Sequence, residues 1–215
     1  MEYAHTEGAL GSTTKVWDAL CLEEVSIDIK YVSRGVIMKN ILQNAKNTCK
    51  LCAIYSNPEE TDRFAVGYVE YCDENLVILR AFDFYGSADG FVCLEMDSII
   101  NVETDSKYLN AMELLIDKTV SHKKFVDFSQ QQSISSVLEF ACQQQCICAI
   151  SLCESQRDDV VGFVASVTAD TAQFNVVDSY GQRNGTCVVN VMDVSSVSVL
   201  TMDTTRLEKL YNISN

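Results

Sequence analysis

Cationic residues are the first shortage: 16 Lys and Arg stand against 30 Asp and Glu, giving a formal charge of −14 and a pI near 4.4. Partners held mainly through their phosphates are disfavoured by this balance, because such binding draws its free energy from Lys and Arg displacing counterions. RNA is a partner only against the net charge. The densest basic run, His122-Lys123-Lys124, lies between Asp117 and Asp127 and reads as a solvated linker face. Histidine is scarcer still: His5 and His122 are the only two, and both fall outside the two modules described below. A His-based triad has no geometry to work with, and no Gly-rich phosphate loop is present, so no catalytic residue and no cofactor are assigned.

The chain has one proline and no Pro-, Gly- or Ser-rich stretch, which excludes a flexible low-complexity linker. It also lacks an apolar run of the roughly 18 residues that span a bilayer. Its opening, Met1-Glu2-Tyr3-Ala4-His5-Thr6-Glu7, has neither the basic nor the apolar region of a secretory signal. The expectation is a cytoplasmic protein with no membrane contact.

What the chain does hold is 47% hydrophobic residues, enough for a proper core, and ten cysteines. In a reducing compartment these are expected to be reduced, mostly buried small hydrophobes rather than five disulfides. Cys49-x-x-Cys52 with Cys142, Cys146, Cys148 and Cys153 lacks the paired knuckles of a zinc site, and Cys146-x-Cys148 is a strand alternation. No metal site is expected.

Sliding the chain against itself by 95 residues brings Val66-Gly67-Tyr68-Val69 onto Val161-Gly162-Phe163-Val164. At the same shift Asp83, Tyr85, Gly86 and Gly90 meet Asp178, Tyr180, Gly181 and Gly185, while Asp89 meets Asn184. Val102, Glu113 and Leu115 meet Val197, Glu208 and Leu210, making ten identities over about fifty positions against roughly three by chance. Upstream, a shift of 96 aligns Cys52-Ala53-Ile54 with Cys148-Ala149-Ile150, so one residue of length is absorbed in a polar loop.

Each copy predicts the same order of elements. A short amphipathic helix comes first, with Val36, Ile37, Ile41 and Ala45 in copy one, and Ile134, Val137, Leu138 and Ala141 behind a Ser133 N-cap in copy two. Apolar strands 50–55 and 146–152 follow, then polar loops 57–62 and 154–159. Hairpins 65–82 and 160–178 come next, and a Gly-bearing turn leads into a fourth strand, 91–96 or 186–191. A brief fifth strand follows 97–99 or 193–195. A closing helix is striped by Leu109, Met112, Leu115 and Ile116, or by Leu207, Leu210 and Tyr211.

The expected division is a disordered leader at 1–14, an N-terminal extension at 15–35, a first module at 36–105, a helical linker at 106–131, and a second module with a C-terminal helix at 132–215. The extension, with its alternating Val25-Ile27-Ile29-Tyr31, is expected to add a helical turn and an edge strand.

A helix followed by five strands, the middle three long and bent, is how a small closed β-barrel removes its edges. With Gly67 in strand two and Asp73 six residues on at the hairpin turn, this order resembles the Sm-like family. Copy two keeps Gly162 but has Thr168; Asn175 echoes the family's turn Asn, and the Ile-Arg-Gly of its second motif is absent from both copies. The resemblance implies a mainly β fold with flanking helices, two tandem five-stranded Sm-like or SH3-like barrels, and RNA-associated regulation as one function. The turns, with Asp105-Ser106-Lys107-Tyr108, also look similar to uncharacterised cytoplasmic proteins of low-GC Gram-positive bacteria.

The most specific local signature is Asp-x-Tyr-Gly-x-x-(Asp/Asn)-Gly. It nominates Asp83, Tyr85, Gly86 and Asp89, with Asp178, Tyr180, Gly181 and Asn184, as a ligand or partner surface. A purely structural turn explains the same residues, since glycine supplies positive φ and Asp caps its own turn amides. The leading functional expectation is a non-enzymatic binding module that self-associates or takes a protein partner; a hydrolase working through turn carboxylates is the least favoured.

Overall fold

The computed structural model describes residues 35–57, 64–117, 132–153 and 160–214. The chain divides into two compact units, Met1–Ile37 and Met38–Asn215. Of the first, only residues 35–37 are described, and they are helical. The expected leader, nearly all of the extension, both polar loops after the first strands, and residues 118–131 of the linker lie outside the described residues.

Short apolar runs make the strands, buried on both faces in the first and third of the first set and alternating in others. β1 (Leu51–Tyr55), β2 (Ala65–Cys72), β3 (Leu76–Phe82), β4 (Ala88–Glu95) and β5 (Asn101–Thr104) form one set. The other comprises β6 (Ile147–Leu152), β7 (Val160–Val167), β8 (Thr171–Val177), β9 (Arg183–Asn190) and β10 (Val194–Val199). Helices α1 (35–47), α2 (Lys107–Leu115), α3 (Ile134–Gln144) and α4 (Met202–Ser214) complete the described elements.

The strands make one open antiparallel sheet in the order β5-β1-β2-β3-β4-β10-β6-β7-β8-β9. Two separately closed barrels are not what the described strands form. The reason is a seam: β4 pairs with β10, Phe91↔Val199 through Leu94↔Ser196, so an edge that closure would consume is taken by the other half of the chain. The two halves nevertheless run through the same strand order. Their bulges also correspond, between Val69 and Tyr71 and between Val164 and Ser166, where the local twist increases.

Each half carries one helix on either face. In the first half, Leu42 and Ala45 of α1 join Cys52, Ile54, Val77, Leu79 and Leu94, while Leu109 and Met112 of α2 cover Leu51, Ala53, Val66 and Phe82 on the reverse. In the second half, α3 buries Val137, Leu138 and Ala141 against Phe174 and Ile150, and Leu207 of α4 meets Ile147 and Val177. The α3 core also takes in Tyr71, Ile78 and Cys93, so the seam is buried rather than merely hydrogen-bonded. Tyr71 adds a polar tie: its hydroxyl accepts from the Gln132 amide at 3.2 Å and donates to Asp73 at 2.7 Å.

Several sequence expectations shift in detail. The Ser133 cap is present, reciprocated by Ser136, and Gln145 ends α3 in the left-handed region. The fourth strands begin earlier than expected, at Ala88 and Arg183, because the second turn glycine of each copy lies within the strand. β10 starts at Val194 inside the expected loop, drawn into pairing by β6. Leu115 is exposed rather than part of the α2 stripe, where Ile116 is buried.

Candidate functional site

The signature turns are built by their aspartates. The Asp83 carboxylate accepts from the amides of Tyr85 at 2.9 Å and Ser87 at 2.8 Å; that of Asp178 accepts from Tyr180 and Gln182, each at 2.9 Å. Gly86 (φ 82°) and Gly181 (φ 78°) take the left-handed positions, where a Cβ would strike Leu115 of α2 and Leu210 of α4. Each turn is thereby pressed onto its closing helix. These contacts account for Asp83, Gly86, Asp178 and Gly181 without any ligand.

Tyr85 and Tyr180 project outward, 69% and 76% exposed, and the Phe84 ring lies tilted by 40° against that of Tyr85, with centroids 3.8 Å apart. A cavity of about 260 Å³ sits beside the first turn, between Phe82, Tyr85 and Leu115. The two turns lead into strands five places apart in the sheet, so the structure does not gather the eight nominated residues into one site.

Asp89 and Asn184, equivalent in sequence, have different surroundings. Asp89 accepts from the Met202 amide at 2.6 Å, capping α4 across the seam. Burial raises the Asp89 carboxyl above its ordinary range, with Asp83 and Asp203 adding to the rise and the Met202 amide opposing it. Asn184 stands exposed on β9.

A second cavity was not signalled by any motif. It measures about 440 Å³ and lies between the end of α1 and strands β2 and β3, lined by Lys46, Cys49, Tyr68, Glu70 and Arg80. Arg80 Nε is 2.7 Å from Glu70 Oε1, while its guanidinium sits 5.2 Å over the Tyr68 ring. The Arg80 N–H does not point along that line, which makes this a charge contact rather than a hydrogen bond. At the same positions the second half carries Phe163, Ala165 and Asn175, so the charged cluster belongs to the first half alone.

Five of the described thiols, those of Cys52, Cys72, Cys93, Cys146 and Cys148, are held as core groups, while Cys49 and Cys153 are exposed. Cys52 donates to the Gly67 carbonyl and its counterpart Cys148 to that of Gly162. Burial pushes the Cys52 thiol up to about 12 and those of Cys72 and Cys146 to about 11, and raises Cys93 and Cys148 further. Such groups are poor nucleophiles and poor metal ligands. Among the described residues no cluster of His, Cys, Asp and Glu is arranged to hold a metal ion, and no helix is long and apolar enough to cross a membrane.

The sheet edges are the remaining feature. β5 is paired only with β1, and β9 only with β8, leaving one backbone edge of each without a strand partner among the described residues. Val188 on β9 is 62% exposed. No family model matches this chain, and comparison with curated proteins and with solved structures finds no match. The fold and its edges therefore define the class: a mainly β protein built on one open antiparallel sheet.

Proposed function

We propose that the chain is a non-enzymatic assembly module that binds protein through the end strands of its sheet, with each half one copy of an Sm-like unit. The observation that carries this reading is the pair of strand edges, on β5 and β9, that have no strand partner among the described residues at the two ends of the sheet. A strand edge presents a row of backbone donors and acceptors and is a ready template for another chain unless blunted by charge or proline. Neither guard is strong here: β9 reads Arg-Asn-Gly-Thr-Cys-Val-Val-Asn, and β5 carries one acid, Glu103.

The strand order within each half and the helix preceding its first strand support the Sm-like unit. The buried thiols of Cys52, Cys72, Cys93, Cys146 and Cys148 suit the cytoplasm, where they stay reduced. The formal charge of −14 opposes the RNA-associated alternative. Light scattering coupled to size exclusion tests the reading: species at multiples of 23.9 kDa that grow with concentration support it. A strict monomer at high concentration that captures no protein partner refutes it.

A further inference from the structure

The two halves share a scaffold but differ in chemistry at one place. The cavity of about 440 Å³ beside the end of α1 presents Lys46, Arg80 and Glu70, so among the described residues its walls carry two cations against one carboxylate. Its volume lies within the roughly 300–1,000 Å³ of small-molecule sites. Tyr68, Val69 and Ile116 supply apolar wall, and the exposed Cys49 gives it a face toward solvent.

Both cations are set to meet an anion. Lys39 and Lys50, the lysines before and after Lys46 in the sequence, are paired with Glu74 and Asp105. Lys46 has no acid within ion-pair distance among the described residues, and its ammonium rests 5.7 Å from the centre of the Tyr71 ring. Arg80 is held in place before any ligand arrives: Glu70 lies 2.7 Å from its Nε, and the rings of Tyr68 and Phe82 lie 5.2 and 5.9 Å from its guanidinium. Glu70 takes the Nε side, which leaves the terminal nitrogens for an incoming carboxylate, whose two oxygens match a guanidinium edge. Tyr68 is fixed in turn, because its hydroxyl donates to Glu113 of α2.

The second half shows that the fold does not require this cluster. Phe163, Ala165 and Asn175 stand where the first half has Tyr68, Glu70 and Arg80, and the upstream offset of 96 puts Cys142 in the place of Lys46. There the equivalent positions contact one another directly. Tyr211, the counterpart of Ile116, packs on Phe163 with ring centroids 4.9 Å apart, and Cys142 reaches the Ala165 carbonyl at 3.9 Å. Strands and bulge correspond in the two halves although neither cation is present in the second. Lys46 and Arg80 are thus not what holds this architecture together.

We propose that the first half binds a small aromatic carboxylate in this cavity. The carboxylate lies between Lys46 and Arg80, and the ring lies against Tyr68 and Ile116. Its single negative charge matches the one cation that Glu70 leaves unbalanced. The site involves neither end strand of the sheet, so it stands whether or not the chain assembles.

The test uses the full-length protein with 1-naphthoate as the probe, read at Cys49. Iodoacetamide labels this thiol, and peptide mapping by mass spectrometry follows its rate beside that of Cys153, the exposed thiol of the second half. Naphthoate is expected to slow labelling of Cys49 saturably with half-protection at about 1 mM or below, the level that the per-atom efficiency of small ligands sets for a molecule of this size. Labelling of Cys153 should not change. Lys46→Gln, at a position with no ion pair to lose, should raise the half-protecting concentration about tenfold, as loss of a charged contact does. E70A/R80N installs the second half's residues at both positions and strands neither charge; it should fold, by circular dichroism, and lose protection to a similar degree. The amide 1-naphthamide, of the same shape without the charge, should protect about tenfold less well.

No saturable protection of Cys49, equal slowing at Cys153, equal protection by the amide, or unchanged protection in Lys46→Gln overturns the proposal. A strict monomer whose Cys49 naphthoate still protects overturns only the assembly reading.

Discussion

Replacing Gly90 and Gly185 each by alanine compares two left-handed glycines, φ 67° and 85°, that differ in what lies beside them. Moving an L-residue into that region costs about 1–2 kcal/mol at either position. At Gly90 the new Cβ also meets the Val199 oxygen at 2.3 Å and the Leu200 oxygen at 2.5 Å, both backbone atoms without side-chain freedom. The strands of the seam must part, and each buried ladder group stranded near Phe91↔Val199 adds about 1–3 kcal/mol. Gly90→Ala is therefore expected to cost about 2–5 kcal/mol, and Gly185→Ala about 1–2 kcal/mol, in a fold whose class has about 5–15 kcal/mol in hand. Urea unfolding of dilute protein, followed by far-UV circular dichroism and extrapolated linearly to water, measures both. Equal losses, or a larger loss at Gly185, would show that the β4–β10 seam does not hold the halves together.

Three further outcomes follow from the same structure. Phe174, the bulkiest fully buried side chain among the described residues, should cost about 3–5 kcal/mol when cut to alanine, measured by the same unfolding series; under about 1 kcal/mol would place it outside the core. The raised Asp89 carboxyl means the native state holds its proton more tightly than the unfolded chain does. Its contribution is thus full below the unfolded pKa and lost as pH rises through the folded one. Asp89→Asn should keep the α4 cap and flatten that part of the pH–stability curve, and an unchanged slope refutes the assignment. Iodoacetamide at mildly alkaline pH should label Cys49 and Cys153 in the folded protein and spare Cys52, Cys93 and Cys148, whose burial raises their thiols; peptide mapping by mass spectrometry reads the result.

Much of the local structure was legible because it depends on near neighbours. The Ser133 cap, the Asp83 and Asp178 turns and the strand alternation each rest on contacts a few residues apart, and residue type alone signals them. The nominated site was legible only as a turn: Asp83 and Asp178 are occupied by their own amides, and Tyr85, Tyr180 and Asn184 remain as outward side chains. The Arg80–Glu70 pair escaped notice because it joins two strands whose register no motif announces.

Sequence by itself determined the 95-residue correspondence and the order of elements within each half, both of which follow from spacing and composition. Whether each five-strand set closes on itself or opens toward the other is a choice between strand edges of nearly equal hydrogen-bonding capacity. Periodicity is blind to that choice, because it reports which face of a strand is buried and not which strand lies beside it. Only the tertiary structure decided it, by burying Cys93 and seating Gly90 against β10. The same decision left Val188 and Gly185 uncovered at the far end of the sheet.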